Sequence, residues 1–214
     1  MKLIHGGDIY SDGFSPDTIL DFSANINPLG IPKGVKEVLM DNVDQCVHYP
    51  DPLCRELRGA ISTAEGINPD WFVFGNGAAD LIFRLVLALK PKKALLTAPT
   101  FAEYGEALAV WDCEIRTHQL NRRDGFQLKE DYLQQLTEDL DLIFLCNPNN
   151  PTGQLIHGPL LKKILERCRE KNITMVVDEC FLGFLPSKEA VTLKSFLGEF
   201  PNLFLLRAFT KDYA

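Results

Sequence analysis

Several marks of common protein classes are missing from this 214-residue chain. Its six cysteines, Cys46, Cys54, Cys113, Cys146, Cys168 and Cys180, form no C-x-x-C pair, so the spacing of a zinc knuckle or a dithiol redox couple is absent. Thiols scattered in this way behave as small buried hydrophobes of a reducing compartment, and no metal site is expected. No apolar run approaches the roughly 18 residues that span a bilayer. The opening Met1-Lys2-Leu3-Ile4-His5-Gly6-Gly7 lacks the apolar stretch of a secretion signal. A cytoplasmic protein with no membrane partner is expected. Positive charge is also short: 22 Lys+Arg stand against 29 Asp+Glu, a net charge of −7. Without a basic face to displace counterions, nucleic-acid binding is excluded as a general role.

What is present is an ordinary globular composition, 46% hydrophobic and 24% charged, in a chain long enough to bury a real core. Residues 1 to about 52 read as an arm lying over something else. They are rich in turn chemistry, as in Asn25-Ile26-Asn27-Pro28-Leu29-Gly30 and Tyr49-Pro50-Asp51-Pro52, with one short helix over 33–42. From Leu53 to the end the pattern becomes regular. Helices are expected over 53–64, 78–89, 101–111, 129–135 and 160–171. Strands are expected over 71–74, 94–97, 114–118, 142–146, 173–177 and 203–206. Short apolar strands alternating with helices predict an α/β fold with a mostly parallel sheet covered on both faces. In such a sheet a ligand sits at the carboxyl ends of the strands.

Four of those ends carry unusual residues. Gly75-Asn76-Gly77-Ala78-Ala79-Asp80 opens a helix, which reads either as a phosphate cradle of free amides or as a plain turn with a cap. Asn147-Pro148-Asn149-Asn150-Pro151-Thr152-Gly153 holds three amide side chains on a loop stiffened by two prolines. Asp178-Glu179 ends an apolar strand, where a carboxylate needs a cation or a strong donor: a helix cap, or a counter-charge to a buried ligand nitrogen. Arg207-Ala208-Phe209-Thr210-Lys211 follows the last strand. Lys211 is a solvated charge or, in the same crevice as Asp178, a candidate Schiff-base amine.

Together these features resemble the pyridoxal-phosphate aminotransferase superfamily of fold type I. Asn150-Pro151-Thr152-Gly153 matches its N-P-T-G loop, with Asp178 and Lys211 at fitting spacings. Within it the chain is similar to the histidinol-phosphate aminotransferase branch, and most of all to the L-threonine-O-3-phosphate decarboxylases of cobalamin biosynthesis. That narrower likeness rests on His5-Gly6-Gly7, on the run 20–30, on Tyr49-Pro50-Asp51, on Phe101-Ala102-Glu103-Tyr104-Gly105 and on Phe144-Leu145-Cys146. The resemblance implies the following roles. Lys211 binds the cofactor covalently and Asp178 pairs with its pyridine nitrogen, keeping the ring an electron sink. Asn150 bonds the phenolic oxygen and Phe101 stacks on the ring. Gly77, Ala78 and Ala79 offer amides to its phosphate, and Tyr49 reaches the phosphate site of a partner subunit in a homodimer. His5, Gly6, Asn25 and Asn150 hold a small phosphorylated amino-acid substrate. Without the resemblance, His5 and Asn25 read equally well as loop residues.

Three departures from the family pattern stand out. Phe181 occupies a position where many aminotransferases place tyrosine, which mildly favours the decarboxylases. Ala208 stands where Ser or Thr bonds the cofactor phosphate, with the direction of the neighbouring Thr210 open. The chain also ends at Ala214, three residues past Lys211, where members of the superfamily continue into the rest of the large domain and a small domain. The expectation is a fragment of a longer product, with residues 53–214 forming the first part of the large domain. The implied activity is decarboxylation of L-threonine O-3-phosphate. The alternatives are an aminotransferase acting on histidinol phosphate or a related amino acid, and a non-catalytic protein of the same fold.

Overall fold

The computed structural model describes residues 6, 7, 9, 19–187 and 191–213. Its centre is a five-stranded sheet of β1 (Lys93–Ala98), β2 (Glu114–Gln119), β3 (Leu142–Cys146), β4 (Thr174–Asp178) and β5 (Leu203–Leu206), in the order β2-β1-β3-β4-β5. Every neighbouring pair is parallel. The chain leaves β1 toward β2 on one side and returns to β3 on the other, so the order reverses at β1. Crevices that take ligands open at the carboxyl ends beside such a reversal.

The apolar runs of β1, β3 and β4 are buried between two cores, one on each face of the sheet. On β3, Leu142, Phe144 and Cys146 face one core and Ile143 and Leu145 the other. The first core is closed by α3 (Gly77–Leu89) and α4 (Ala102–Val110), through Ile82, Val86, Tyr104 and Leu108. The second is closed by α5 (Gly158–Glu170), through Leu161, Ile164, Leu165 and Cys168. These four residues recur at helical spacing and are fully buried. Each large aliphatic among them contributes about 1.5–3 kcal/mol by leaving water. Pro159 sits in the first turn of α5, where its missing N–H costs nothing, and Arg167 and Arg169 meet the negative end of the helix dipole.

Ahead of this unit lie α1 (Lys33–Asp41) and α2 (Arg55–Glu65), neither of which buries a residue. A later short helix, α6 (Phe209–Asp212), carries Lys211. Among the described residues, no helix is long and apolar enough to cross a membrane and no cluster of side chains could hold a metal ion.

Two expectations fail. The strand over 71–74 does not form: Pro69–Trp71 is a 3-10 turn, and the extended residues after it pair with no strand. Guanidinium groups take the place of a ladder there. Arg58 Nη1 donates to the carbonyls of Pro69 (2.6 Å) and Phe72 (2.7 Å), and Arg84 Nη1 to that of Phe74 (2.9 Å). The helix over 129–135 is a 3-10 helix, Glu130–Gln135, a tighter coil suited to so short a run.

Candidate active site

The segments that follow β3, β4 and β5 meet the start of α3 and Phe101, just past β1, around one cavity of about 210 Å³. Seven of the residues singled out in the sequence line it: Gly77, Ala78, Ala79, Phe101, Asn150, Asp178 and Lys211. Cys146, Cys180, Phe181, Ala208 and Thr210 complete the wall. Thr210 thus lines the same cavity as Ala208.

The α3 end has a geometry that suits an anion. Gly77 has φ +78°, a left-handed turn that favours glycine, and at Gly75 a methyl group would press on the Asp80 carboxylate and on Leu81. Asn76 supplies no side-chain cap, so the amides of Ala78 and Ala79 have no acceptor within the helix and carry its positive end into the cavity. Contrary to expectation the turn does not follow a strand; it is held by Asp80 Oδ2, which accepts from the Asn76 N–H at 3.0 Å.

Asp178 is 4% exposed at the end of β4. One oxygen accepts from the Tyr104 hydroxyl at 2.6 Å and the other from the Cys180 N–H at 2.9 Å. Burial, then the Asp178 charge, pushes the Tyr104 phenol well above its usual range, so it stays a donor at any working pH. Tyr104 in turn stacks on Phe144 at 4.8 Å between centroids and meets Phe101 edge-on at 5.6 Å. The aromatic of the cavity wall is therefore braced by the residue that orients the carboxylate.

The asparagine loop divides its labour. Only Asn150 faces the cavity. Asn147 is fully buried and accepts from the Ile156 N–H at 2.8 Å. Asn149 donates to the Pro99 carbonyl (3.1 Å) and to Thr152 Oγ1 (2.8 Å). The expectation that all three amides stand at the mouth of the sheet is corrected: two are spent on holding the third, because a loop without regular structure must satisfy its own backbone.

Two thiols line the cavity and neither is a nucleophile. Burial and the Asp178 charge raise Cys146 to about 12 and Cys180 well above its ordinary value, and a protonated thiol does not attack. Lys211 is the remaining amine; its Nζ lies 5.9 Å from the Phe181 ring centre, within reach of a cation–π contact.

Three features of this neighbourhood escaped the sequence reading. Tyr104 lay inside a recognised stretch, yet its role was not drawn, although a tyrosine on a buried helix requires a partner for its hydroxyl. Glu179, 2% exposed, accepts from Arg207 Nη2 at 2.9 Å, Thr192 Oγ1 at 2.9 Å and the Leu193 N–H at 3.0 Å. It ties β4 to the segment leading into Lys211. A buried acid beside a lone strand-end arginine was the available signal. The third is Asn27, whose N–H donates to the Lys211 carbonyl at 2.9 Å.

Three more of the expected residues, Tyr49, Asn25 and Gly6, lie off the cavity. Tyr49 is fully exposed. Asn25 is exposed, two residues before Asn27. Gly6 is exposed, a Cβ added there would collide with the Ser23 backbone, and the Gly7 N–H donates to Ser23 Oγ at 2.8 Å. His5 lies outside the described residues.

A parallel sheet with an amine, a buried carboxylate and a free helix end around one cavity defines an aminotransferase-like site. The chain belongs to the aminotransferase class I and II family, which matches residues 17–214. It is 45% identical, over 98% of its length, to the threonine-phosphate decarboxylase of Salmonella typhimurium, and covers 58% of that protein. It is 32% identical over 91% of its length to the histidinol-phosphate aminotransferase of a Geobacillus species, covering 53% of it. Among solved structures, the histidinol-phosphate aminotransferase of Clostridium acetobutylicum superposes with a TM-score of 0.81 at 29% identity, over 91% of this chain and 57% of that one. The chain thus spans little more than half the length of the relatives it matches.

Proposed function

We propose that this chain is the cofactor-binding part of a pyridoxal 5′-phosphate enzyme that decarboxylates L-threonine O-3-phosphate to (R)-1-amino-2-propanol phosphate and CO2, a step of cobalamin biosynthesis. The observation that carries the reading is the convergence of Lys211, Asp178 and the open end of α3 on one cavity. The greater identity to a decarboxylase, 45% against 32%, supports the substrate.

The residues present fit the cofactor by their chemistry. The amides of Ala78 and Ala79 and the Thr210 hydroxyl suit its phosphate, and Asp178 its ring nitrogen. Asn150 suits the phenolic oxygen, Phe101 the ring face and Lys211 the aldehyde carbon. When bound, the cofactor supplies a sink for the electron pair left on the substrate Cα. Asp178 does its part through its two fixed donors, Tyr104 and the Cys180 amide, which hold the carboxylate in place. As the Cα–carboxylate bond breaks, CO2 departs and its bonding pair stays on Cα. Lys211 Nζ would then return a proton to Cα. His5, Gly6 and Asn25 of the arm hold the substrate, and Tyr49 serves the partner's phosphate site in a cytoplasmic homodimer. The free state of all six cysteines agrees with a reducing compartment.

A second reading, transfer of the amine from histidinol phosphate to 2-oxoglutarate, is supported by the Geobacillus and Clostridium relatives. Lys211 would then remove the Cα proton rather than return one. The test uses the full reading frame that contains this chain, loaded with pyridoxal phosphate and given L-threonine O-3-phosphate labelled at its carboxyl carbon, with no oxo acid. Labelled CO2 that disappears in Lys211→Ala is the expected result. Amine transfer without CO2 would move the protein to the second reading, and neither product would leave a non-catalytic member of the family.

A further inference from the structure

We infer that Asn27 is a positioning residue that ties the substrate-binding arm to the lysine helix, so that the arm and Lys211 move as one unit. The inference rests on the reading of Lys211 and the arm proposed above. Two carbonyls of α6 accept from Asn27: its N–H donates to the Lys211 carbonyl at 2.9 Å and its Nδ2 to the Asp212 carbonyl at 2.8 Å. Asn27 is itself fixed by a turn. Its Oδ1 accepts from the Leu29 N–H at 2.9 Å and its carbonyl from the Gly30 N–H at 3.1 Å, with Gly30 at φ +75°.

On the other side of α6, Gly183 lies so close that an added methyl would collide with the Asp212 carboxylate. The lysine segment is therefore held between a loop of the sheet domain and a turn of the arm. Asn25 stands two residues before Asn27, so whatever Asn25 holds is placed relative to Lys211 by these two bonds. Such coupling is reciprocal: fixing Lys211 must order the arm, and loosening the arm must weaken substrate binding.

Asn27→Asp is the cleanest probe, because it keeps the acceptor for Leu29 and replaces only the Nδ2 donor, setting an oxygen against the Asp212 carbonyl. Two readouts apply to the full-length protein. The first is hydrogen exchange of peptides covering 20–30, with and without pyridoxal phosphate. Loading is expected to slow exchange there several-fold in the unaltered protein and to leave the variant unchanged, with peptides of β3 and β4 alike in both. The second is steady-state decarboxylation, with KM raised about tenfold, the effect of one lost hydrogen bond, and kcat within threefold.

Equal slowing of arm exchange in variant and parent would overturn the inference, and so would arm exchange that loading never alters. A variant that also loses protection in β3 and β4 reports a folding defect; Asn27→Ser is then scored by the same two readouts. Absence of CO2 release from the unaltered protein would defeat the decarboxylase reading alone, because the exchange measurement needs only the cofactor.

Discussion

The α5 helix and the α1–α2 pair carry the same kind of amphipathic pattern and end in opposite circumstances. In α5 the apolar stripe lies against β3 and β4 and five residues are buried. In α1 and α2 none is, and Val38, Leu39, Met40 and Leu57 stay exposed. Periodicity therefore tells which face of a helix is apolar, and only the surroundings tell whether that face stabilises the fold. The difference matters for the site. Its carboxylate, amide loop and helix end belong to the packed unit, while its arm belongs to the exposed one and is fastened by a few hydrogen bonds.

The contrast is broken most strongly by truncating one residue in each region. Leu161→Ala, in the packed stripe of α5, is expected to cost about 2–5 kcal/mol in denaturant unfolding. Leu57→Ala, in α2, should stay within about 0.5 kcal/mol. Equal losses would mean that α2 is covered as α5 is. A smaller effect comes from Tyr104→Phe, which leaves the packing of the ring and removes the donor to Asp178. About 1.5–3 kcal/mol of stability should be lost, together with weaker cofactor uptake measured by absorbance. Unchanged uptake would separate Tyr104 from the site.

The smallest effect sharpens the comparison at the amino end of the sheet. Asp139 is held well below the usual carboxylate range by the Thr137 hydroxyl first, then by the hydrogen bond from Lys93, with the Lys93 and Arg116 charges adding to it. A carboxylate whose folded value is depressed adds stability above its unfolded value near 3.9 and loses it as pH falls through the folded value. Asp139→Asn should therefore lower Tm slightly at pH 7, and the gap to the parent should shrink as pH falls below about 4. A gap constant with pH would mean that the side chain acts through packing alone.

Much of the fold and most of the cavity were legible in the sequence, for a physical reason. Strands buried on both faces write themselves as unbroken apolar runs, so 142–146 and 173–177 could be placed and their ends searched for polar residues. Pairing is less visible. Phe72-Val73-Phe74 looked like a strand because its residues favour one, while the arginines that take its carbonyls come from α2 and α3. The same gap explains Asn147 and Asn149, which composition alone could not tell apart from Asn150. Tyr104, Glu179 and Asn27 act through partners 13 to 185 residues away, and such partners emerge only when the chain is folded.

The most direct test of the central claim, that one cavity gathers the cofactor-holding groups around Lys211, is borohydride reduction of the pyridoxal-phosphate-loaded protein followed by peptide mapping. The account predicts a single stable adduct, on the peptide containing Lys211, with its formation suppressed in Asp178→Asn. An adduct on another lysine, or spread over several surface lysines with Lys211 unmodified, would contradict it.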